Sequence, residues 1–278
     1  MFLDPLFFVC FFTFLIHFSE TIVYGMRLSG VRTKQIAIAM SFVTSSLLVS
    51  RLSNMFQAPL VGAMVDSTIL DGSLVALDLL ANDFRIIIFY GFIGSLLGAL
   101  FTPTTVFLFQ KAIQRFLQHG SIIKLIGSAF KPKNLLKIIM SFKLPPLSGL
   151  KSITLSPLPK LFLFLNIFVT AIYSIGVLCS LMAGALLPDL RSTAIQLSGI
   201  INGLATIMMT LFVDPSGARV TDQAVHNKRP ESHIISVVFF LQMGRLIGTL
   251  IIAQLFFGPF TGYIKEVTLF LAKFMVTQ

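Results

Sequence analysis

The sequence predicts an all-α, polytopic membrane protein with about six transmembrane helices, because its apolar residues gather into six runs, each near the roughly 20 residues needed to cross a bilayer. Hydrophobic side chains make up 55% of the 278 residues and charged ones only 12%. Mean hydropathy is +0.90, which leaves too little polar surface for a soluble exterior. The runs are Pro5 to Met26, Gln35 to Val65, Arg85 to Phe109, Leu161 to Leu187, Thr193 to Val213 and Ile234 to Phe257. The opening MFLDPLFFVC has neither a basic leader nor a small-residue cleavage site, so it is expected to be an uncleaved first helix.

Basic residues set the expected orientation, since short cytoplasmic loops retain positive charge. Three lie between Arg27 and Lys34, nine between Gln110 and Lys160, and three between Asp214 and Ser232. The alternate connections differ: Asp66 to Asp83 carries four aspartates and no base. Both termini are therefore expected outside.

In the first run His17, Glu20, Tyr24 and Arg27 are spaced by three, four and three residues and share one helix face. A carboxylate at membrane depth faces a bundle interior, a partner charge or a hydrated cavity. Glu20 is thus a candidate for transport and for proton coupling, with His17 beside it as a relay. A purely structural role, hydrogen-bonding neighbouring helices, suits the same two residues.

The second run, as one helix, would measure about 46 Å against a hydrocarbon core of about 30 Å. It must tilt, bend or protrude, and Pro59, with Gly62 nearby, is the expected bend. Arg51, Asn54 and Gln57 sit within its apolar pattern. An arginine there needs a partner, water or an anionic ligand. Its planar fork suits carboxylate or phosphate. An internal ion pair with Glu20 is one reading, and a substrate anion could replace that carboxylate.

These two runs, through IHFSETIVYGMRLSGVRTKQIAIAMSF (Ile16 to Phe42) and LVSRLSNMFQAPLVGAMVD (Leu48 to Asp66), resemble the Amj family of alternate lipid II flippases of bacterial cytoplasmic membranes. The length and six-helix profile are similar too. The resemblance implies translocation of lipid II, the undecaprenyl-pyrophosphate-linked disaccharide pentapeptide, from the inner to the outer leaflet for peptidoglycan synthesis. It brings no ready-made set of site residues, so the candidates named here are physical choices.

In the third run the Gly94–Gly98 spacing permits close approach of another helix. Pro103 predicts a kink, with Thr102, Thr104 and Thr105 placed to satisfy the freed carbonyls. The fifth run adds Asn202, and the sixth adds Gln242 and Arg245. Polar side chains at membrane depth on four helices exceed what one ion pair requires and would together line a hydrated cavity for a polar headgroup.

The connection from Gln110 to Lys160 has no acidic residue, and its apolar residues recur between the bases. It reads as two short amphipathic helices in the headgroup layer, separated near Lys131 and Pro132 and followed by a connector with Pro145, Pro146, Pro157 and Pro159. Such a surface attracts anionic lipids, and it also suits simple control of topology. Nucleic-acid binding is discounted because the net charge of +10 lies beside hydrocarbon. The chain so divides into a first three-helix bundle (1–109), a basic connection (110–160) and a second three-helix bundle (161–278), all one integral membrane domain. Three being odd, the halves would cross the membrane in opposite senses, as in transporters built from inverted repeats.

Enzymatic signals are absent. The four aspartates Asp66, Asp71, Asp78 and Asp83 lack the compact pairing that magnesium-dependent prenyl or phospho-alcohol transferases need. PSGARVTD, from Pro215, reads as an ordinary turn. No nucleotide-binding, serine-hydrolase or zinc-protease motif occurs. Cys10 and Cys179 lie in apolar runs without metal-ligand spacing and read as buried small hydrophobes. No catalytic residue, metal or cofactor is expected. Transport would then be passive or driven by an ion gradient or the membrane potential. Beside a flippase, two readings stay open: an ion-coupled transporter of a small anion, and a non-transporting scaffold or membrane enzyme. The oligomeric state is also left open.

Overall fold

The computed structural model describes residues 4–129, 131–145, 153–155 and 159–276. Among these residues there is no strand, and six helical segments are long and apolar enough to cross a membrane.

Helix α1 (Pro5–Thr33) begins where Asp4 accepts the Leu6 N–H at 3.0 Å and Pro5 fills the first turn, where no N–H is needed. It ends at Lys34, whose left-handed backbone (φ 56°) returns its N–H to the Gly30 and Val31 carbonyls. Helix α2 (Ile36–Asp71) runs without a break through Pro59 for 36 residues, or about 54 Å. The long acidic loop expected between Asp66 and Asp83 does not exist. Its residues extend α2 and begin α3 (Leu74–Leu100), and only Gly72 and Ser73 turn the chain. Gly72 takes φ 70°, and the Ser73 hydroxyl accepts the Ala76 N–H at 3.1 Å. These caps, not the edge of the hydrocarbon, end the helices; Asp71 and Asp78 stand exposed on the protruding parts.

The third run also ends earlier than expected. In place of a kink at Pro103 the chain breaks at Phe101 and starts α4 (Thr102–His119), with the proline in its first turn. The expected threonine contacts to carbonyls freed by the proline do not form: Thr102 donates to the Gly98 carbonyl at 3.3 Å, and Thr105 at 3.0 Å to that of Phe101, which already accepts the Thr105 N–H. Thr104 instead reaches the carbonyl of Lys143 at 3.2 Å and ties down the connection. The connection holds three helices where two were expected: α4, α5 (Ile122–Ala129) and α6 (Pro132–Met140). Of the proline connector, Pro146 and Pro157 lie outside the described residues.

Helix α7 (Lys160–Leu186) returns across the bundle. A 3-10 turn at Pro188–Leu190 leads into α8 (Arg191–Gln196), α9 (Ser198–Met208), a π turn at Met209–Val213 and α10 (Asp214–Val225). PSGARVTD is therefore helix and not a turn: Pro215 sits in the first turn of α10, and a side chain at Gly217 would overlap the Arg27 guanidinium. Helix α11 (Glu231–Ile247), a π turn at Gly248–Ile252 and α12 (Ala253–Val276) complete the fold. α12 packs along α7, and Ile264 and Thr268 are fully buried there.

Glycine sets the closest helix contacts. A Cβ at Gly94 would overlap the Phe14 carbonyl, and one at Gly98 would press on Thr21, so α3 lies backbone to backbone on α1. Gly244 of α11 makes room for the Asn166 side chain of α7, and Gly248 of the π turn lies against the Ile167 carbonyl. Toward the acidic end one apolar core is continuous across both halves, joining Val61 and Val65 of α2 to Ile175 and Leu178 of α7. Toward the basic end the core splits. Phe42 of α2 packs with Val23, Met26 and Ile113, whereas Tyr24 and Leu28 pack with Phe162, Val220 and Val237. Among the described residues, the buried apolar side chains of α2 meet the second half toward the acidic end.

Candidate functional site

Glu20 lies at the centre of a polar cluster drawn from four helices. It is 13 residues from the end of α1, and Arg245 is 14 from the start of α11, so both sit about 20 Å from the basic end at 1.5 Å per residue. Arg245 is ion-paired to Glu20 Oε2, and the Ser50 hydroxyl of α2 donates to Glu20 Oε1 at 2.7 Å. The same guanidinium donates to His17 Nδ1 at 3.3 Å, with the Ser95 hydroxyl of α3 at 3.5 Å. Arginine only donates, so His17 Nδ1 must be an unprotonated acceptor here. The imidazole lies on Gly91 and Gly94, where a Cβ would crowd it. The Glu20 side chain keeps 33% of its exposure while Arg245 keeps 10%, so the pair is approachable from the carboxylate side. Among the described residues Nε of Arg245 is buried without a partner, and the π turn that follows this arginine is a device frequent at functional sites.

Arg51 does not pair with Glu20. Successive residues on a helix diverge by about 100°, and Ser50 holds the position facing α1. Arg51 and Asn54 are exposed on α2, and among the described residues no carboxylate reaches Arg51. Gln57 donates to Thr13 at 2.5 Å. The Thr13–Gln57 and Glu20–Ser50 contacts fit a single antiparallel register, so α1 and α2 meet along a polar seam. Gln242, one turn before Arg245, donates to Thr102 at 2.5 Å. Arg27 turns toward the basic end and pairs with Asp214 of α10 at 3.3 Å. Asn202 stands apart, with its Oδ1 buried, unpartnered and set against Gly176.

The structure thus brings His17, Glu20 and Arg245 together, hangs Gln57 and Gln242 on adjoining contacts, and leaves Asn202 elsewhere. Ser50, Ser95 and Asp214 were not anticipated. For Ser50 a signal existed, since Ser50, Asn54 and Gln57 repeat the four-three spacing of Thr13, His17 and Glu20.

A family model described as Amj, Alternate to MurJ, matches residues 12–268. The chain belongs to the Amj family. The protein named Lipid II flippase Amj of Bacillus subtilis (strain 168) is 36% identical over 264 residues, which cover 95% of this chain and 96% of that protein. No solved structure gives a significant match. Both runs that carried the resemblance fall inside the matched region, from residue 16 onward, and so does every residue of the Glu20 cluster. This Amj-family chain is a multi-pass membrane protein.

Proposed function

We propose that this protein is a lipid II flippase of the bacterial cytoplasmic membrane, a transporter and not an enzyme, with the Arg245–Glu20 pair as its central anion-exchange point. The observation that carries the reading is an arginine–carboxylate pair midway along α1, half-buried on the carboxylate side, with Arg51 and Asn54 on an exposed face of the neighbouring helix and, among the described residues, no carboxylate on Arg51. A substrate diphosphate entering there takes the place of the Glu20 carboxylate on Arg245, because guanidinium forks bind phosphate and carboxylate alike. Arg51 supplies a second cation that costs less to place in hydrocarbon when an anion accompanies it. The exposed side of α2 lets the undecaprenyl chain stay in lipid while the headgroup crosses beside the polar seam. A small solute has no use for such sideways exposure.

The three-plus-three division serves as the unit of movement. Among the described residues, every ion pair between different transmembrane segments joins one half to the other: Arg32–Glu231 and Arg27–Asp214 near the basic end, Glu20–Arg245 in the middle, and Asp66–Arg191 near the acidic end.

Expression in a strain depleted of its lipid II flippases is expected to restore growth and to expose lipid II on the outer leaflet. Growth without lipid II exposure would sink the flippase reading. The reading also requires the basic end to be cytoplasmic. Cys10 and Cys179 are buried, so single cysteines report the orientation directly. Ser73→Cys should react with a membrane-impermeant maleimide in intact cells, and Lys133→Cys only after permeabilisation. The opposite pattern would invert the proposed direction of loading.

A further inference from the structure

At the basic end α1, α10 and α11 meet around an open concavity of about 500 Å³, within the range of about 300–1,000 Å³ typical of small-molecule sites. Its wall carries Arg32, Lys34, Lys228 and Arg229 against the single carboxylate of Glu231. Glu231 is already committed, accepting from Arg32 Nε at 2.9 Å and from Nη2 at 2.6 Å. Among the described residues no carboxylate lies within ion-pair reach of Lys34, Lys228 or Arg229. Three uncommitted cations converging on one concavity differ from the scattered charge that topology control requires, because like charges held together repel unless an anion joins them.

The backbone holds them there. Lys34 and Asn227 are the two described non-glycine residues with positive φ, at 56° and 57°, and both line this cavity. Each such residue costs on the order of 1–3 kcal/mol. The turn after α10 is tied by Asn227 N–H to the Ala224 carbonyl at 3.1 Å and by Lys228 N–H to that of Gln223 at 2.8 Å. Further along α1, Arg32 is about 18 Å from Glu20, and Arg27, paired with Asp214, lies between them in the chain. Each step is an arginine holding a carboxylate that a phosphate can displace.

We propose that this cavity is a diphosphate site, which receives the diphosphate group of the lipid substrate at headgroup depth before it passes to Arg27 and Arg245. The assignment rests on the flippase reading for the identity of the lipid. Binding of farnesyl diphosphate to the purified full-length protein, measured by calorimetry, tests it. Combined Lys34→Gln, Lys228→Gln and Arg229→Gln should weaken binding by about tenfold or more, since charge-assisted bonds to phosphate are lost. Glu231→Gln, which frees Arg32, should tighten binding, a gain that a misfolded protein cannot give. Wild-type affinity in the triple variant would overturn the site. Displacement of the probe by phosphatidylglycerol vesicles would overturn it in favour of a general anionic-lipid surface, and binding of inorganic pyrophosphate but not of farnesyl diphosphate would overturn the lipid assignment. Lipid II flipping by the same preparations keeps the two readings apart. A wild type that binds through these cations yet does not flip defeats the flippase reading alone, whereas a triple variant that binds and flips normally defeats the cavity alone.

Discussion

Arg245→Ala is expected to destabilise the protein by about 3–5 kcal/mol and to abolish transport, because it strands the Glu20 carboxylate in the bundle without its cation. Among the described residues Ser50 alone then remains hydrogen-bonded to Glu20, and His17 Nδ1 keeps only the Ser95 hydroxyl. Thermal unfolding in detergent, followed by size-exclusion chromatography, reads the stability. The double variant Glu20→Gln, Arg245→Met separates folding from function. With neither charge left to desolvate it should recover most of the stability, since a buried ion pair replaced by residues of similar volume is often neutral or better. It should still fail to flip lipid. A double variant that flips at the wild-type rate would reduce the pair to a packing element.

Gly94→Ala is expected to cost about 1–3 kcal/mol, the usual penalty for overfilling a packed interface. The added methyl meets the Phe14 carbonyl, which is backbone and cannot rotate away, with the Phe18 N–H and His17 close by. α3 must then withdraw from α1 and take Ser95 away from His17. Gly203→Ala is the control: no atom lies within 4 Å of a Cβ there, so the change should be neutral or stabilising by up to about 1 kcal/mol, the ordinary gain for alanine over glycine in a helix. The same melting experiment reads both. Equal melting temperatures for the two variants would mean that α1 and α3 do not pack backbone to backbone at Gly94.

Much of the fold is legible in the chain because hydropathy and helical period are local quantities. The six crossings, the shared face of His17 and Glu20 and the close approach at Gly94 and Gly98 all follow from residues within a few turns of one another. Helix ends were less legible. Apolar content marks where hydrocarbon stops, while the helices stop where caps form, at Gly72 and Ser73 and at Phe101. Hence the stretch holding Asp78 and Asp83 is helix, and Pro103 starts a new helix instead of bending an old one.

The sequence by itself determined the class, the number of apolar helices long enough to cross and the presence of charges among them. Which charges pair was decided by tertiary structure alone. Glu20 and Arg245 are 225 positions apart, and nothing local distinguishes Arg245 from Arg51 as a partner. The choice rests on the rotation of α2, which turns Ser50 inward and Arg51 outward, and on the approach of α11 to α1. The gathering of Lys34, Lys228 and Arg229 around one cavity has the same origin. Their charges are plain in the sequence, but their convergence depends on where three helix ends meet.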